Sequence, residues 1–161
     1  MLAEFDRDVA AGALFVSDRL SPAGRDGYPA LLRDAIENGA DSTLQLELEA
    51  PGMLNSHEKP HMRQGKLVTP KMNKQAAQVM AEGEFNRFYI RGLCLVVQAE
   101  SPDEVEVYRA RESSWARPES EALIGRLLGA AELLDDLRTH IGEEPTLLPY
   151  VNSGLSCRKV K

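Results

Sequence analysis

The sequence predicts an α+β, mainly helical fold, and three observations predict it. A long apolar stripe at helical spacing runs through residues 74–99, a second begins near residue 123, and two short segments near 104–110 and 155–160 read as strands. With 161 residues, 43% of them apolar, the chain fits a single domain (1–161), since one hydrophobic core commonly serves roughly 100–150 residues.

Taken in order, Ala13, Leu14, Phe15 and Val16 suggest a brief strand after a short N-terminal segment. Ser21-Pro22-Ala23-Gly24-Arg25-Asp26-Gly27 is turn chemistry. A helix is expected next, with Pro29 at its first position, Tyr28, Leu31, Leu32, Ala35 and Ile36 on one face, and Asn38-Gly39 as its end. Leu44, Leu46 and Leu48 alternate like a strand, yet the helix formers around them and the stop at Pro51-Gly52 favour a short helix over 43–49. Residues 51–73, with three prolines and two glycines, show no period and read as an extended loop or arm. Structureless loops beyond about 12–15 residues are uncommon in compact domains unless functional or disordered.

The long central helix follows, capped by Asn73 and covering about 74–99. Its stripe comprises Ala77, Ala81, Phe85, Phe88, Tyr89, Gly92, Leu93, Val96 and Val97. Gly92 lies on that stripe, where a missing side chain lets another backbone approach. Ser101-Pro102-Asp103 ends the helix. A strand over 104–110 should then face Val105 and Val107 inward and Glu104 and Glu106 outward. Leu123, Leu127, Ala130, Leu134, Leu137 and Ile141 make the second stripe, with Gly125 and Gly129 breaking it, so that its regular part spans about 129–142. After a turn at Asn152-Ser153-Gly154, residues 155–160 form a last strand. Two or three short strands are expected in all.

The net charge of −6 argues against general nucleic-acid binding, which depends on basic surface to displace phosphate counterions. Its distribution is uneven: residues 1–50 carry four Arg against ten acids, while residues 51–80 carry five Lys/Arg against Glu58 alone. Three more cations stand among Arg158, Lys159, Val160 and Lys161. Such asymmetry suits contact between unlike patches of neighbouring subunits, and a solvated basic loop on an acidic protein is the simpler alternative. Cys94 sits in an apolar run and reads as a buried free thiol. No secretory signal is visible, and the longest apolar run, Leu93-Cys94-Leu95-Val96-Val97, is far short of the roughly 20 residues of a membrane span. No membrane association is expected, and a reducing compartment is.

Candidate chemistry meets physical objections. His57-Glu58-Lys59-Pro60-His61 matches the zinc-protease pattern H-E-x-x-H, which needs both histidines on one turn of a helix. Pro60 removes a helical N–H and collides with the Ser56 carbonyl, at a cost of ~3 kcal/mol. Pro102-Asp103 with Glu106-Val107-Tyr108 has the residue order of a P-D…E-x-K nuclease core, but the spacing is too short and Tyr108 stands where Lys is needed. There is no G-x-S-x-G, G-x-G-x-x-G or Walker loop, so no cofactor is expected. His140 fits a favourable charge near a helix C-terminus. Arg87 and Arg91 are expected on an outer face with Glu84, either contacting a partner or phosphate, or forming a solvated ion-paired face.

The run Ala81-Glu82-Gly83-Glu84-Phe85-Asn86-Arg87-Phe88-Tyr89-Ile90-Arg91-Gly92-Leu93-Cys94 resembles small uncharacterised proteins of phage and prophage gene clusters. Further likeness lies in Val107-Tyr108-Arg109-Ala110-Arg111, Arg117-Pro118-Glu119-Ser120-Glu121 and Asn152-Ser153-Gly154-Leu155-Ser156. The resemblance covers roughly the C-terminal half of the chain and implies a setting rather than an activity: the host cytoplasm or the virion. The expectation is a non-enzymatic structural or interaction subunit, capsid-associated or decorating, that assembles with other protein subunits or with copies of itself. His57, His61, Arg63, Lys66, Lys71, Arg87 and Arg91 are its candidate contact residues. The alternatives are a metal-dependent phage nuclease, an enzyme inhibitor, or a nucleic-acid-binding accessory protein using Arg63, Lys66 and Lys71.

Overall fold

The computed structural model describes residues 1–100, 102–111, 117–150 and 153–160. In chain order the elements are α1 (Leu2–Ala10), α2 (Pro22–Asn38), α3 (Asp41–Leu48), β1 (His61–Arg63), β2 (Lys66–Val68), α4 (Ala76–Val97), β3 (Glu104–Arg109), α5 (Pro118–Glu121), β4 (Leu127–Gly129), α6 (Ala130–Thr139) and β5 (Leu155–Lys159). This is an α+β, mainly helical fold with two small antiparallel sheets, β1-β2 and β4-β3-β5. Among the described residues no helix is long and apolar enough to cross a membrane. Ser101, Trp115, Asn152 and Lys161 lie outside the described residues. The chain groups into two compact units, Met1–Phe15 with Gly83–Lys161, and Val16–Glu82.

In the first unit the three-stranded sheet gives one face to a core. Val105 and Val107 alternate inward as expected, opposite Leu128 and Cys157 respectively. Ile90, Cys94 and Val97 of α4 and Leu133, Leu134 and Leu137 of α6 complete the same cluster. Each fully buried side chain of this size contributes about 1.5–3 kcal/mol relative to exposure. Glu106, on the outer face, accepts from Arg158 Nε and Nη2 at 3.0 and 2.8 Å. Past α6, the Asp136 carboxylate accepts the backbone N–H groups of Thr146 and Leu147 and the Thr146 hydroxyl, which pins the returning chain. His140 caps the end of α6 and lies 3.0 Å from Asp136.

The second unit holds α2, α3, the β1-β2 pair and the first turns of α4. Here the expected turn at 21–27 proves to be the start of α2. Ser21 is the N-cap, its Oγ accepting from the Gly24 N–H at 2.9 Å, and Pro22 takes the first helical position. The preference of proline for that position is thus met by Pro22, and Pro29 lies inside the helix. Residues 13–16 carry no strand, and α1 was not anticipated. The short helix expected over 43–49 is α3, Asp41–Leu48, with Glu49 as its C-cap.

Residues 51–73 are not a structureless arm. The Ser21 N–H donates to the Met53 carbonyl and the Asn55 N–H to the Arg19 carbonyl, and Leu20 bridges Leu54. A β-carbon on Gly24 would stand 2.1 Å from the Met53 oxygen, so the close approach of this segment to α2 requires glycine there. Further along, the Glu58 N–H donates to Pro70 and the Met72 N–H to Ser56, which zips the two legs together below β1 and β2.

Candidate interaction hairpin

β1 and β2 form a hairpin whose loop is Gln64-Gly65, both at positive φ (50° and 76°). That pair of left-handed residues is the two-residue turn whose twist matches antiparallel strands. The register sets His61 opposite Val68, Met62 opposite Leu67, and Arg63 opposite Lys66. Side chains alternate along a strand, so the hairpin has two unlike faces. One carries Met62 and Leu67 as a cross-strand apolar pair; the other carries His61, Arg63, Lys66 and Val68. Met62 and Leu67 are 64% and 70% exposed.

Below the strands the legs carry paired charges. Arg19 donates to Glu58 at 3.2 Å, and Lys59 with Arg25 binds Asp18. The hydrogen bond from Lys59 does most to hold the Asp18 carboxyl below its ordinary value. His57 bridges Lys71 across the legs, and its ring meets the Ser56 hydroxyl at 2.9 Å. The H-E-x-x-H run therefore lies on extended chain, with its Glu58 engaged by Arg19. Among the described residues no group of three or more His, Cys, Asp or Glu is placed to hold a metal ion.

Five of the seven expected contact residues are thus gathered in one structure: His61, Arg63 and Lys66 on the hairpin, His57 and Lys71 at its base. No family model, curated protein or solved structure matches the chain.

Arg87 and Arg91 are a correction. They belong to the first unit and are buried, Arg91 completely, so the outer face expected for them does not exist. Arg91 forks onto Asp8, Nη1 to Oδ2 at 2.6 Å and Nη2 to Oδ1 at 2.8 Å, while its Nε donates to Glu4 at 2.8 Å. Arg138 donates to the same Glu4 through Nε and Nη2 at 3.0 and 2.5 Å. Burial opposes the charge on Arg91, but Asp8 and Glu4 outweigh it and raise its pKa above the ordinary value. Arg87 pairs with Glu84 at 3.3 Å and covers the Phe15 ring. Burial pushes the Glu84 carboxyl up, with Arg87 offsetting only part of the rise. The compensating change is on the stripe: Tyr89 and Val96, expected inside, are exposed.

Arg91 and Arg138 spend their hydrogen bonds on Glu4 and Asp8, whereas the buried Oε2 of Glu84 accepts none. An open groove of about 380 Å³ in the same unit is lined by Glu119, Leu123, Arg126, Glu144 and Leu148, among others, and among the described residues no histidine, cysteine or serine stands on it. Cys94 and Cys157 are buried free thiols, both pushed up to about 12 by desolvation, which is the opposite of what a nucleophile requires.

Proposed function

We propose that this protein is a non-enzymatic interaction subunit that grips other protein chains through the β1-β2 hairpin, and that it serves as a virion component in a phage setting. The observation that carries the reading is the exposed Met62–Leu67 pair on a hairpin with a defined turn and register. Apolar pairs of this kind are placed in water at a cost unless something covers them. The opposite face of the same hairpin carries Arg63 and Lys66, whose charge suits a protein partner with acidic groups. Binding to a nucleic-acid backbone runs on charge and gives Met62 and Leu67 no role. The phage setting is supported by the resemblance of the C-terminal half alone.

The test is the double substitution Met62→Asp/Leu67→Asp. Both side chains already face water, so the thermal melt should match that of the wild type. Association with other subunits in extracts of producing cells, followed as native mass, should be lost. Unchanged native mass in a folded double variant contradicts the reading.

A further inference from the structure

We propose that α1 is an exchange arm: it leaves the socket on α4 and α6 of its own chain and docks in the same socket of a second copy, which returns its own α1. The inference does not depend on the hairpin and names a separate contact between copies.

The way α1 is held argues for this. Of its nine residues only Glu4, Phe5 and Asp8 are buried, and none of them belongs to the apolar cluster that α4, α6 and the three-stranded sheet build. Its ties are Phe5 edge-on to Phe88 at 5.9 Å between ring centres, the fork of Arg91 on Asp8, and the hydrogen bonds of Arg91 and Arg138 to Glu4. α1 can therefore withdraw while the core of its unit stays packed. What it vacates is two guanidinium groups beside an aromatic ring, a socket suited to an acidic helix with the pattern Glu-Phe-x-x-Asp. α1 carries that pattern at Glu4, Phe5 and Asp8, and a second copy supplies another.

Chain order adds a second argument. Residues 1–15 are joined to the rest of their unit only by way of the second one, Val16–Glu82. The docking is thus a long-range contact, and two chains can meet it as one does. The hinge is short and open: Ala11 and Gly12 are exposed, and Gly12, at φ +64°, has nothing within 4 Å of where a β-carbon would stand. Past the hinge, Phe15 remains anchored against Gly142 and Arg87.

Exchange makes the same bonds between copies as within one chain. The two forms therefore differ in the hinge and in the entropy of association, and concentration decides between them. Each copy gives one α1 and receives one, which closes a two-fold pair instead of opening a filament. Conversion is slow, because the buried ion pairs must open first.

The experiment mixes two full-length chains, Glu4→Lys/Asp8→Lys and Arg91→Glu/Arg138→Glu. Both also carry Met62→Asp/Leu67→Asp, so that contact through the hairpin is not read. In either chain alone, arm and socket have like charge; in the mixed pair, both dockings join opposite charges. Sedimentation velocity should show a one-to-one pair that forms at least about tenfold more tightly than either chain pairs with itself. No pairing on mixing, with both chains folded by circular dichroism, overturns the inference. Where either chain fails to fold, deletion of Ala11 and Gly12 decides, since it shortens the tether and keeps every docking residue native. α1 then cannot turn back onto its own socket, and the chain should run as a dimer. A hinge-shortened chain that runs as a monomer overturns the inference as well.

Discussion

Arg91 and Asp8, 83 residues apart in the chain, meet as a bidentate ion pair with both side chains out of contact with water. Glu4 closes the arrangement from the next turn of α1, held also by Arg138. The pair ties α1 to α4 inside the first unit. Gly92 works beside it, since a β-carbon there would lie 2.3 Å from the Met1 nitrogen.

Removal of one member of a buried ion pair strands the others without solvent. Arg91→Met should therefore cost about 3–5 kcal/mol, and urea unfolding followed by circular dichroism will measure it. Arg91→Lys should recover only part, because a single ammonium cannot form the two-pronged contact with Asp8. Wild-type stability in Arg91→Met would show that the cluster contributes nothing to the fold.

Glu4 and Glu84 should respond to pH in opposite senses. Burial lifts Glu4, but the hydrogen bonds from Arg138 and Arg91 prevail and lower it. Its stabilising effect is therefore complete above the unfolded-chain pKa and is lost as the pH falls through the folded one. Glu84 is raised by burial, so its ionisation costs stability as the pH climbs from the unfolded value through the folded one. Glu4→Gln should destabilise the protein at neutral pH and flatten the acid limb of the stability curve. Glu84→Gln should flatten the loss of stability on the alkaline side, while leaving its buried partner Arg87 without a counter-charge. Equal effects of the two substitutions would contradict these assignments.

In the second unit, Gly24→Ala drives a methyl group into the Met53 carbonyl, which is fixed by the Ser21 N–H. A loss of about 1–3 kcal/mol is expected from such overpacking, with faster amide exchange at Ser21 and Asn55. Gly27→Ala is the control, since its nearest neighbour, the end of the Met53 side chain, stands at 4.0 Å.

Cys94 and Cys157 should be inert toward a thiol-specific disulfide reagent near pH 8 while the protein is folded, because both are buried and pushed up to about 12. Both should react fully in denaturant. Rapid native labelling at either position would show that the core around them opens.

What could be read from the sequence follows from how local each signal is. α4, α6 and β3 rest on runs of apolar residues at a fixed period, and a period needs only neighbours in the chain. Gly92 was likewise legible, as a gap in a stripe. The sequence places Arg87 and Arg91 outward because charged side chains are almost never fully buried unless paired, and the burial of Arg91 cannot be judged until its partners are found. The partners Glu4 and Asp8 lie in α1, whose inward face is part acid, so its apolar pattern is too sparse to read. A clue was present: Glu4 and Asp8 are one turn apart, flanking Phe5, which meets Phe88 edge-on in the fold.

The hairpin was legible only as an unusual basic segment. β1 and β2 have three residues each, too few to establish an alternation, and Lys66 is a weak strand former. Its register depends on the Gln64-Gly65 turn and on hydrogen bonds from the legs. One experimental consequence follows. Removing residues 53–70 deletes the Met53 and Asn55 contacts to α2 as well as the hairpin, so loss of assembly in that deletion says little. Replacing residues 61–68 with a short flexible link separates the contact element from the supports of the fold.

The most direct measurement is amide hydrogen exchange across Met62, Arg63, Lys66 and Leu67, made on the native assembly and on the isolated chain. If the hairpin grips a neighbour, those amides exchange quickly in the isolated chain and are slowed at least tenfold in the assembly, since even about 1.4 kcal/mol of protection has that effect. Equal, fast exchange in both states would mean that the hairpin stands free in water, and the proposed function would fall.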